Sequence, residues 1–239
     1  MLAMEKSNIA FKCNFCNGGF EHDKQHYGFN GVCTPGIIEH NIKKMKYEWC
    51  SHPRCACYRY YKGEMSYQEV WDEFYKVGSV CYESVMLNNW EALAGWDNNG
   101  KRGERPRKIL GADIGSLAIL TLVTPNSFEY ERRIFALFII DEYFEGDECN
   151  EGYVACRGKY KLHFTRRETN DLRFWDFYEN ENSTEKRWGS GLFRYLNDEQ
   201  SARILHRAML LKRGTDDEAL AEEMFKRYCR SKNIRLKEY

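Results

Sequence analysis

Hydrophobic and polar positions divide the chain into three stretches with different patterns. In residues 1 to 63 glycine and cysteine are frequent, and the first run with helical spacing is GIIEHNIKKM. Residues 64 to 108 carry helical patterns that end in a polar loop. From residue 109 to residue 239, short runs of β-branched and aromatic residues give way to amphipathic helices. The pattern predicts an α+β protein with a cysteine-rich module, a helical linker and a β-domain with C-terminal helices, in that order.

Two helices are predicted in the linker. Ser66 and Glu69 have the spacing of a capping box, which opens a helix that runs through Tyr75. The stretch CYESVMLNNWEALAG predicts a second helix that ends at Gly95. WDNNGKRGERPRK follows as a loop, because glycine, asparagine and proline interrupt any regular pattern there.

Strands are predicted at SLAILTLV, RIFALFII, GYVAC, YKLHF and in the second half of RWGSGLFRYL. We expect GYVAC and YKLHF to pair with each other, since only Arg157, Gly158 and Lys159 separate them. LRFWDFY predicts a short helix, and NDEQSARILHRAML a longer one. The last helix, DDEALAEEMFKRYCR, is amphipathic, and we consider it as a surface for homo-oligomerisation.

The net charge of the chain does not indicate a binding partner, but the distribution of charged residues along the sequence does. The chain has 36 basic and 36 acidic residues, so a nucleic-acid partner would need charges that are segregated on the surface. KRGERPRK and RGKYKLHFTRR are basic, whereas DEYFEGDECNE is acidic, and such segregation produces a one-sided field. The first basic run supplies four candidate phosphate contacts: Arg102, Arg105, Arg107 and Lys108.

The expected compartment is the cytoplasm. MLAMEKSNIAFKCN has no apolar run of the length found in signal peptides, and Ile134 to Ile140 is too short to cross a bilayer. We therefore expect no membrane association. Clustered cysteines in a reducing compartment are more often metal ligands or reactive thiols than structural disulfides.

Six of the ten cysteines fall in the first quarter of the chain: Cys13, Cys16, Cys33, Cys50, Cys55 and Cys57. A structural zinc ion takes four ligands in a closed tetrahedron. We predict Cys13, Cys16 and Cys50 as three of them. The fourth is Cys33, Cys55 or Cys57, with His40 and His52 as further candidates. An iron–sulfur cluster would also use four thiolates, and buried free thiols or a disulfide are the remaining interpretations.

The remaining cysteines, Cys81, Cys149, Cys156 and Cys229, are scattered along the chain, and we assign them structural roles. A catalytic thiol is not favoured, because a nucleophilic cysteine needs one activated sulfur beside a base.

The strand order from LGADIGSLAILTL through RIFALFIIDEY to GYVAC and YKLHF resembles the small β-barrel of the PUA superfamily, particularly its EVE and ASCH-like branches. The resemblance covers roughly residues 109 to 200. The cysteine-rich start, CYESVMLNNW and WGSGLFRYL are also similar to bacterial proteins without an assigned activity. Together these likenesses imply a metal-bound cysteine-rich module and helices packed on a PUA/EVE-like mixed β-barrel.

The EVE-type resemblance further implies an aromatic cage for a modified base that has been flipped out of DNA. Trp175 and Trp188 are the candidate cage residues, and Arg187 and Arg194 flank the second of them. Asp176 or Asn180 would read a base edge. Phe174, Trp175, Phe177 and Tyr178 have helical spacing, however, which is more often typical of a hydrophobic core than of a cage.

These observations favour a non-enzymatic protein that binds nucleic acid, with DNA as the expected form. An enzyme acting on nucleic acid, either a nuclease or a base-removing enzyme, is the alternative. It would use Glu129 and Glu131, or Asp141 and Glu142, although the usual catalytic motifs are missing from the sequence. A protein-interaction module that uses the last helix is the third hypothesis. His163 stands alone on a strand and is expected to be structural.

Overall fold

The computed structural model describes residues 8–20, 23–98, 104–178, 185–189 and 191–235. Within these ranges the strands are β1 (Asn8–Lys12), β2 (Glu91–Leu93), β3 (Trp96–Asn98), β4 (Glu104–Pro106), β5 (Leu117–Leu122), β6 (Arg133–Ile139), β7 (Glu142–Phe144), β8 (Tyr153–Ala155), β9 (Lys161–His163) and β10 (Phe193–Leu196). The α-helices are α1 (Pro35–Glu39), α2 (Ala56–Tyr61), α3 (Tyr67–Val77), α4 (Met86–Asn89), α5 (Asp198–Leu211) and α6 (Glu218–Ser231).

A five-stranded mixed sheet forms the centre of the molecule, in the order β10-β1-β5-β6-β9. β1 runs parallel to β5 and antiparallel to β10, and the other neighbours are antiparallel. Two smaller sheets, β2-β8-β7 and β3-β4, lie beside it. Because β1 comes from the predicted cysteine-rich module, that module and the predicted β-domain share one sheet.

Both faces of the central sheet are covered by hydrophobic cores. On one face Phe11, Leu120 and Phe138 pack with the cysteine-rich segment in the first core. On the other face Ile119 and Leu137 pack against residues of α5 and α6 in the second core. The sheet is therefore the middle layer of the fold. Strands that are buried on both sides contain continuous apolar runs, which explains SLAILTLV and RIFALFII.

The α+β class predicted from the sequence is confirmed, but no sheet in the described part of the chain closes into a barrel. The central sheet ends at β10 on one side and at β9 on the other. Closure into a barrel would require β10 and β9 to pair with each other, and they lie at opposite edges of the sheet. The sheet instead carries one hydrophobic core on each face.

In the predicted linker, residues 64 to 108, the structure agrees with the sequence prediction at α3 and differs from it after α3. Ser66 and Glu69 form the expected capping box, and Gly78 ends α3 in a left-handed conformation (φ 84°). The predicted helix over CYESVMLNNWEALAG is wrong for most of its length, because α4 has only four residues. Trp90 adopts the left-handed conformation (φ 49°), and the chain then enters β2.

The predicted pairing of GYVAC with YKLHF is also wrong. β8 pairs with β2 and β7, and β9 pairs with β6 at the edge of the central sheet. The two C-terminal helices are confirmed as α5 and α6, and the apolar residues Met224, Phe225 and Tyr228 of α6 lie in the second core. Among the described helices, none has the length and apolar character that crossing a membrane requires.

Candidate functional site

A group of cysteine thiols lies in and beside the first hydrophobic core, on the side of the central sheet that the N-terminal segment covers. Its members are Cys16, Cys33, Cys50, Cys55, Cys57 and Cys81, which we call the six-thiol cluster. The neighbouring Cys16 thiol and burial raise the pKa of Cys33, and the Cys55 and Cys57 thiols shift each other's pKa in opposite directions. Burial raises the pKa of Cys81, Glu83 raises it further, and the thiols of Cys16, Cys50 and Cys55 contribute to the same shift.

Two glycine contacts build the part of the cluster that holds Cys16 and Cys33. A side chain at Gly18 would place its Cβ only 1.9 Å from the Gly31 carbonyl oxygen, and one at Gly28 would clash with the backbone of Asn17. The two loops can therefore cross only without side chains at these positions. The Gly18 N–H group donates to Cys16 Sγ over 3.3 Å, which fixes this thiol beside the crossing.

The acidities of the paired thiols differ. The neighbouring Cys57 thiol, together with the backbone N–H groups of Tyr58 and Cys57, lowers the pKa of Cys55 to about 7 against the opposing effect of burial. The Cys55 thiol, followed by burial, raises the pKa of Cys57. Cys55 is therefore the more acidic member of its pair.

Cys13, one of the three ligands predicted most firmly, lies elsewhere in the core. Its sulfur is 3.6 Å from the Met86 sulfur and 3.9 Å from the Phe11 carbonyl oxygen, at the end of β1. Burial raises the pKa of this thiol, and Glu83 raises it further. The Cys13-x-x-Cys16 spacing thus brings only its second cysteine into the cluster.

Cys81 is the residue that sequence analysis missed. It lines a cavity of about 310 Å³ together with Cys50 and Cys55, and His52 and Glu83 also lie in the wall. Burial raises the pKa of the Glu83 carboxyl group. No short spacing motif includes Cys81; the only sequence signal was one further cysteine close after the cysteine-rich segment.

As the thiols stand, they do not form a ligand set. Across the described ranges, no three His, Cys, Asp or Glu side chains are placed so that they could hold a metal ion. Of the two histidines considered as ligands, His52 instead contacts Glu104, with 3.0 Å between Nε2 and Oε1. The partly buried His40 has its pKa lowered by burial and by Lys44.

A second candidate site is a wide cavity at β10, the edge strand of the central sheet. We call it the Arg107–Arg194 cavity; its volume is about 620 Å³, and Arg107, Arg194, Tyr178, Phe193 and Tyr195 line it, together with Asp97. Arg107 follows β4 and pairs with Asp97. Arg194 lies on β10 and donates a hydrogen bond to the Trp188 carbonyl oxygen.

Lys12, at the end of β1, lies next to this cavity, because its backbone N–H group donates to the carbonyl oxygen of the lining residue Leu192 over 2.7 Å. Burial lowers the pKa of the Lys12 ammonium group, and the guanidinium groups of Arg132 and Arg194 lower it further, whereas the carboxylate of Glu129 raises it. Charges of both signs therefore surround Lys12 beside the cavity.

The other predicted phosphate contacts are more scattered. Arg105 and Arg187 are exposed, and Lys108 lies 4.0 Å from the carboxylate of Glu148. Arg102 and the candidate base reader Asn180 are outside the described residues. The structure thus brings Arg107 and Arg194 into one cavity, and the cavity's rings, Tyr178, Phe193 and Tyr195, were not predicted as ligand contacts.

Trp175 and Trp188, the predicted cage residues, belong to the second core. Their exposed fractions are 7% and 1%, and both rings pack on Phe174. The Trp175 indole donates to the Glu129 carbonyl oxygen, and the Trp188 indole donates to that of Gly191. The Arg194 guanidinium lies 5.7 Å from the Trp188 ring centre, so Trp188 contacts Arg194, which lines the Arg107–Arg194 cavity.

The carboxylates considered for a nuclease have structural partners. Glu129 pairs with Arg132 at 2.6 Å, and Glu142 pairs with Arg157 at 3.0 Å. Asp141 accepts hydrogen bonds from the backbone N–H groups of Arg157 and Gly158. These bonds orient turns and strands, and they do not direct the three carboxylates toward one another.

No protein-family model, no curated protein and no solved structure matches this chain. Function has to be argued from the two sites themselves.

Proposed function

We propose that the protein binds nucleic acid, with DNA as the expected ligand, in the Arg107–Arg194 cavity. The observation that carries the proposal is one concave surface of about 620 Å³ whose lining residues include two arginines and three aromatic residues. Proteins that hold single-stranded nucleic acid combine these two kinds of group, since cations contact phosphates and rings stack on bases. A base extruded from a duplex offers the same chemistry.

Each part of the cavity has a role in this proposal. Arg107 and Arg194 would contact phosphate oxygens, since a guanidinium group can donate two parallel hydrogen bonds to them. Tyr178, Phe193 and Tyr195 would contact base faces. Trp188 would hold Arg194 in place through its carbonyl oxygen and its ring. Asp97 pairs with Arg107 in the free protein, so a phosphate would have to displace this carboxylate.

The proposal is tested by fluorescence anisotropy with a labelled single-stranded DNA oligonucleotide and with the same sequence as a duplex. We expect the wild-type protein to bind the single strand, and Arg107→Gln and Arg194→Gln each to weaken affinity by about tenfold. Arg207→Gln is the matched control, because Arg207 on α5 also pairs with one aspartate, Asp171.

Two results would count against the proposal. One is that the wild-type protein retains neither form of DNA at low salt, and the other is that Arg207→Gln weakens binding as much as Arg107→Gln does. In the second case the arginines would contribute only general positive charge, and the cavity would have no particular role.

A further inference from the structure

The cavity that Cys81 lines also has residues with aromatic rings in its wall, and we call it the Trp49 cavity. Its volume is about 310 Å³, near the lower end of the range for pockets that hold small molecules. Trp49 lies in the 3₁₀ turn Trp49–Ser51, and His52 follows that turn directly. Tyr82 comes from the segment between α3 and α4. Two distant segments of the chain therefore supply the three rings.

The three rings lie close together and at angles to one another. The Trp49 ring centre is 5.4 Å from that of His52 and 6.4 Å from that of Tyr82, with angles of 33° and 52° between the ring planes. The Tyr82 hydroxyl donates to the carboxylate of Glu151 over 2.6 Å, which holds this ring in place. All three residues are only partly buried, so their rings keep surface that a ligand can cover.

Glu83 places a carboxyl group in the same wall. Burial raises the pKa of this group, and its Oε1 atom accepts a hydrogen bond from the backbone N–H of Asn14 over 3.2 Å. Only backbone N–H groups and the Cys81 thiol lower the pKa among the described residues, and neither is a basic side chain. Burying a carboxylate without an opposite charge is costly, and a bound cation would supply that charge.

The other titratable residues of the wall leave room for a cation. His52 is neutral, because its Nδ1 accepts the backbone N–H bond of Arg54 over 3.2 Å while its Nε2 contacts Glu104 at 3.0 Å. The Arg54 guanidinium is mostly exposed and forms an ion pair with Glu104. Cys55, whose pKa is about 7, adds part of a negative charge at neutral pH. The wall therefore favours a cation over an anion.

We propose that the Trp49 cavity binds a quaternary ammonium group, with the rings of Trp49, Tyr82 and His52 around its methyl groups and Glu83 as the opposite charge. The face of an aromatic ring attracts a cation, and tryptophan does so most strongly. A quaternary ammonium group fits these rings better than a lysine ammonium group does, because it has no N–H donors that need acceptors. No residue lines both this cavity and the Arg107–Arg194 cavity, so the proposal is independent of DNA binding.

Two sources offer this chemistry: a free molecule such as choline, and the trimethylated lysine side chain of another protein. Isothermal titration calorimetry of the full chain with choline and with a short trimethyl-lysine peptide distinguishes them. Tighter binding of choline would assign the free molecule, and tighter binding of the peptide would assign the side chain. Binding of neither would overturn the proposal.

The charge is tested on the wild-type protein with a matched ligand. This ligand is the uncharged alcohol in which a carbon atom replaces the nitrogen of choline, so that the shape is kept and the charge is lost. We expect choline to bind about tenfold more tightly than the alcohol. Equal affinities would show that the cavity takes an apolar group and not a cation.

Variants locate the site. Trp49→Leu and Glu83→Gln should each weaken choline binding by about tenfold. Trp71→Leu is the matched control, since Trp71 on α3 is also partly buried and packs against the rings of Phe74 and Tyr75. Equal losses in Trp49→Leu and Trp71→Leu would contradict the assignment of choline to the Trp49 cavity.

Arg54→Gln separates a cation site from an anion site. Loss of the guanidinium group leaves the Glu104 carboxylate without this partner, so choline affinity should stay the same or increase. Weaker choline binding in Arg54→Gln would overturn the proposal.

Discussion

At the scale of single residues, the most informative side chain outside the sites is a buried lysine. Lys212 at the end of α5 is 3% exposed. Its ammonium group donates to the His163 carbonyl oxygen over 2.7 Å and lies 3.2 Å from the carboxylates of Glu168 and Asp217. Burying a charge is costly unless it is paired in this way. Lys212 thus ties α5 to β9 and to the turn that follows it.

Replacement of Lys212 by methionine should lower the free energy of unfolding by about 3 kcal/mol, because the largely buried Glu168 loses its partner. Urea denaturation measures this change. Lys226→Met is the matched control, since Lys226 is exposed and pairs with Glu222 on the same helix; it should cost less than about 0.5 kcal/mol. Similar values for the two variants would contradict the assigned role of Lys212.

His163 should make the protein sensitive to acid. Burial and the neighbouring His26 lower the pKa of His163 to about 3, and its ring lies 4.3 Å from the His26 ring. The folded state therefore keeps His163 neutral, whereas the unfolded chain binds a proton below its ordinary pKa of about 6.5. The unfolded state gains protons first, so stability decreases as the pH falls from 6.5 toward 3.

His163→Phe should remove this loss. Between pH 6 and pH 4 the wild-type protein should lose about 2 kcal/mol more stability than the variant, because each pH unit corresponds to about 1.4 kcal/mol. Denaturant unfolding at several pH values measures the difference. Parallel pH profiles for the two proteins would show that His163 is not the group responsible.

At the scale of elements, sequence motifs predicted a helix correctly where its ends depend on neighbouring residues in the chain. The capping box at Ser66 and the glycine at position 78 gave both ends of α3 to within a few residues. The helix expected over residues 81 to 95 failed because Trp90 takes a left-handed conformation and Glu91–Leu93 pair with the distant β8. Apolar spacing alone cannot distinguish that strand from a further helical turn.

Ser66→Ala should destabilise the protein by about 1 kcal/mol, since the Ser66 side chain accepts the backbone N–H bond of Glu69 over 3.2 Å. Thermal or urea unfolding reports the change. Ser66→Asn is the control, because asparagine caps helices as well as serine does and should leave stability nearly unchanged. If both substitutions were equally costly, capping would not be the cause.

At the scale of the whole molecule, the sequence predicted the class of the fold and some members of each site. The basic stretch KRGERPRK pointed to Arg107, the EVE-type resemblance pointed to Arg194 beside Trp188, and the cysteine-rich start pointed to five of the six clustered thiols. The sequence could not predict which of these residues lie close together in space, because that depends on β1 lying between β5 and β10. Cys81 and the ring of Tyr178 reach their sites only through this long-range arrangement.

The central claim is that Arg107 and Arg194 contact phosphates, and the salt dependence of DNA binding tests it most directly. Affinity for a single strand should fall linearly with salt concentration on logarithmic axes, with a slope of about −0.7 for each phosphate contact. The double variant Arg107→Gln/Arg194→Gln should therefore have a slope shallower by about 1.4 than the wild-type protein. Salt-independent binding by the wild-type protein, or the same slope in both proteins, would contradict the account.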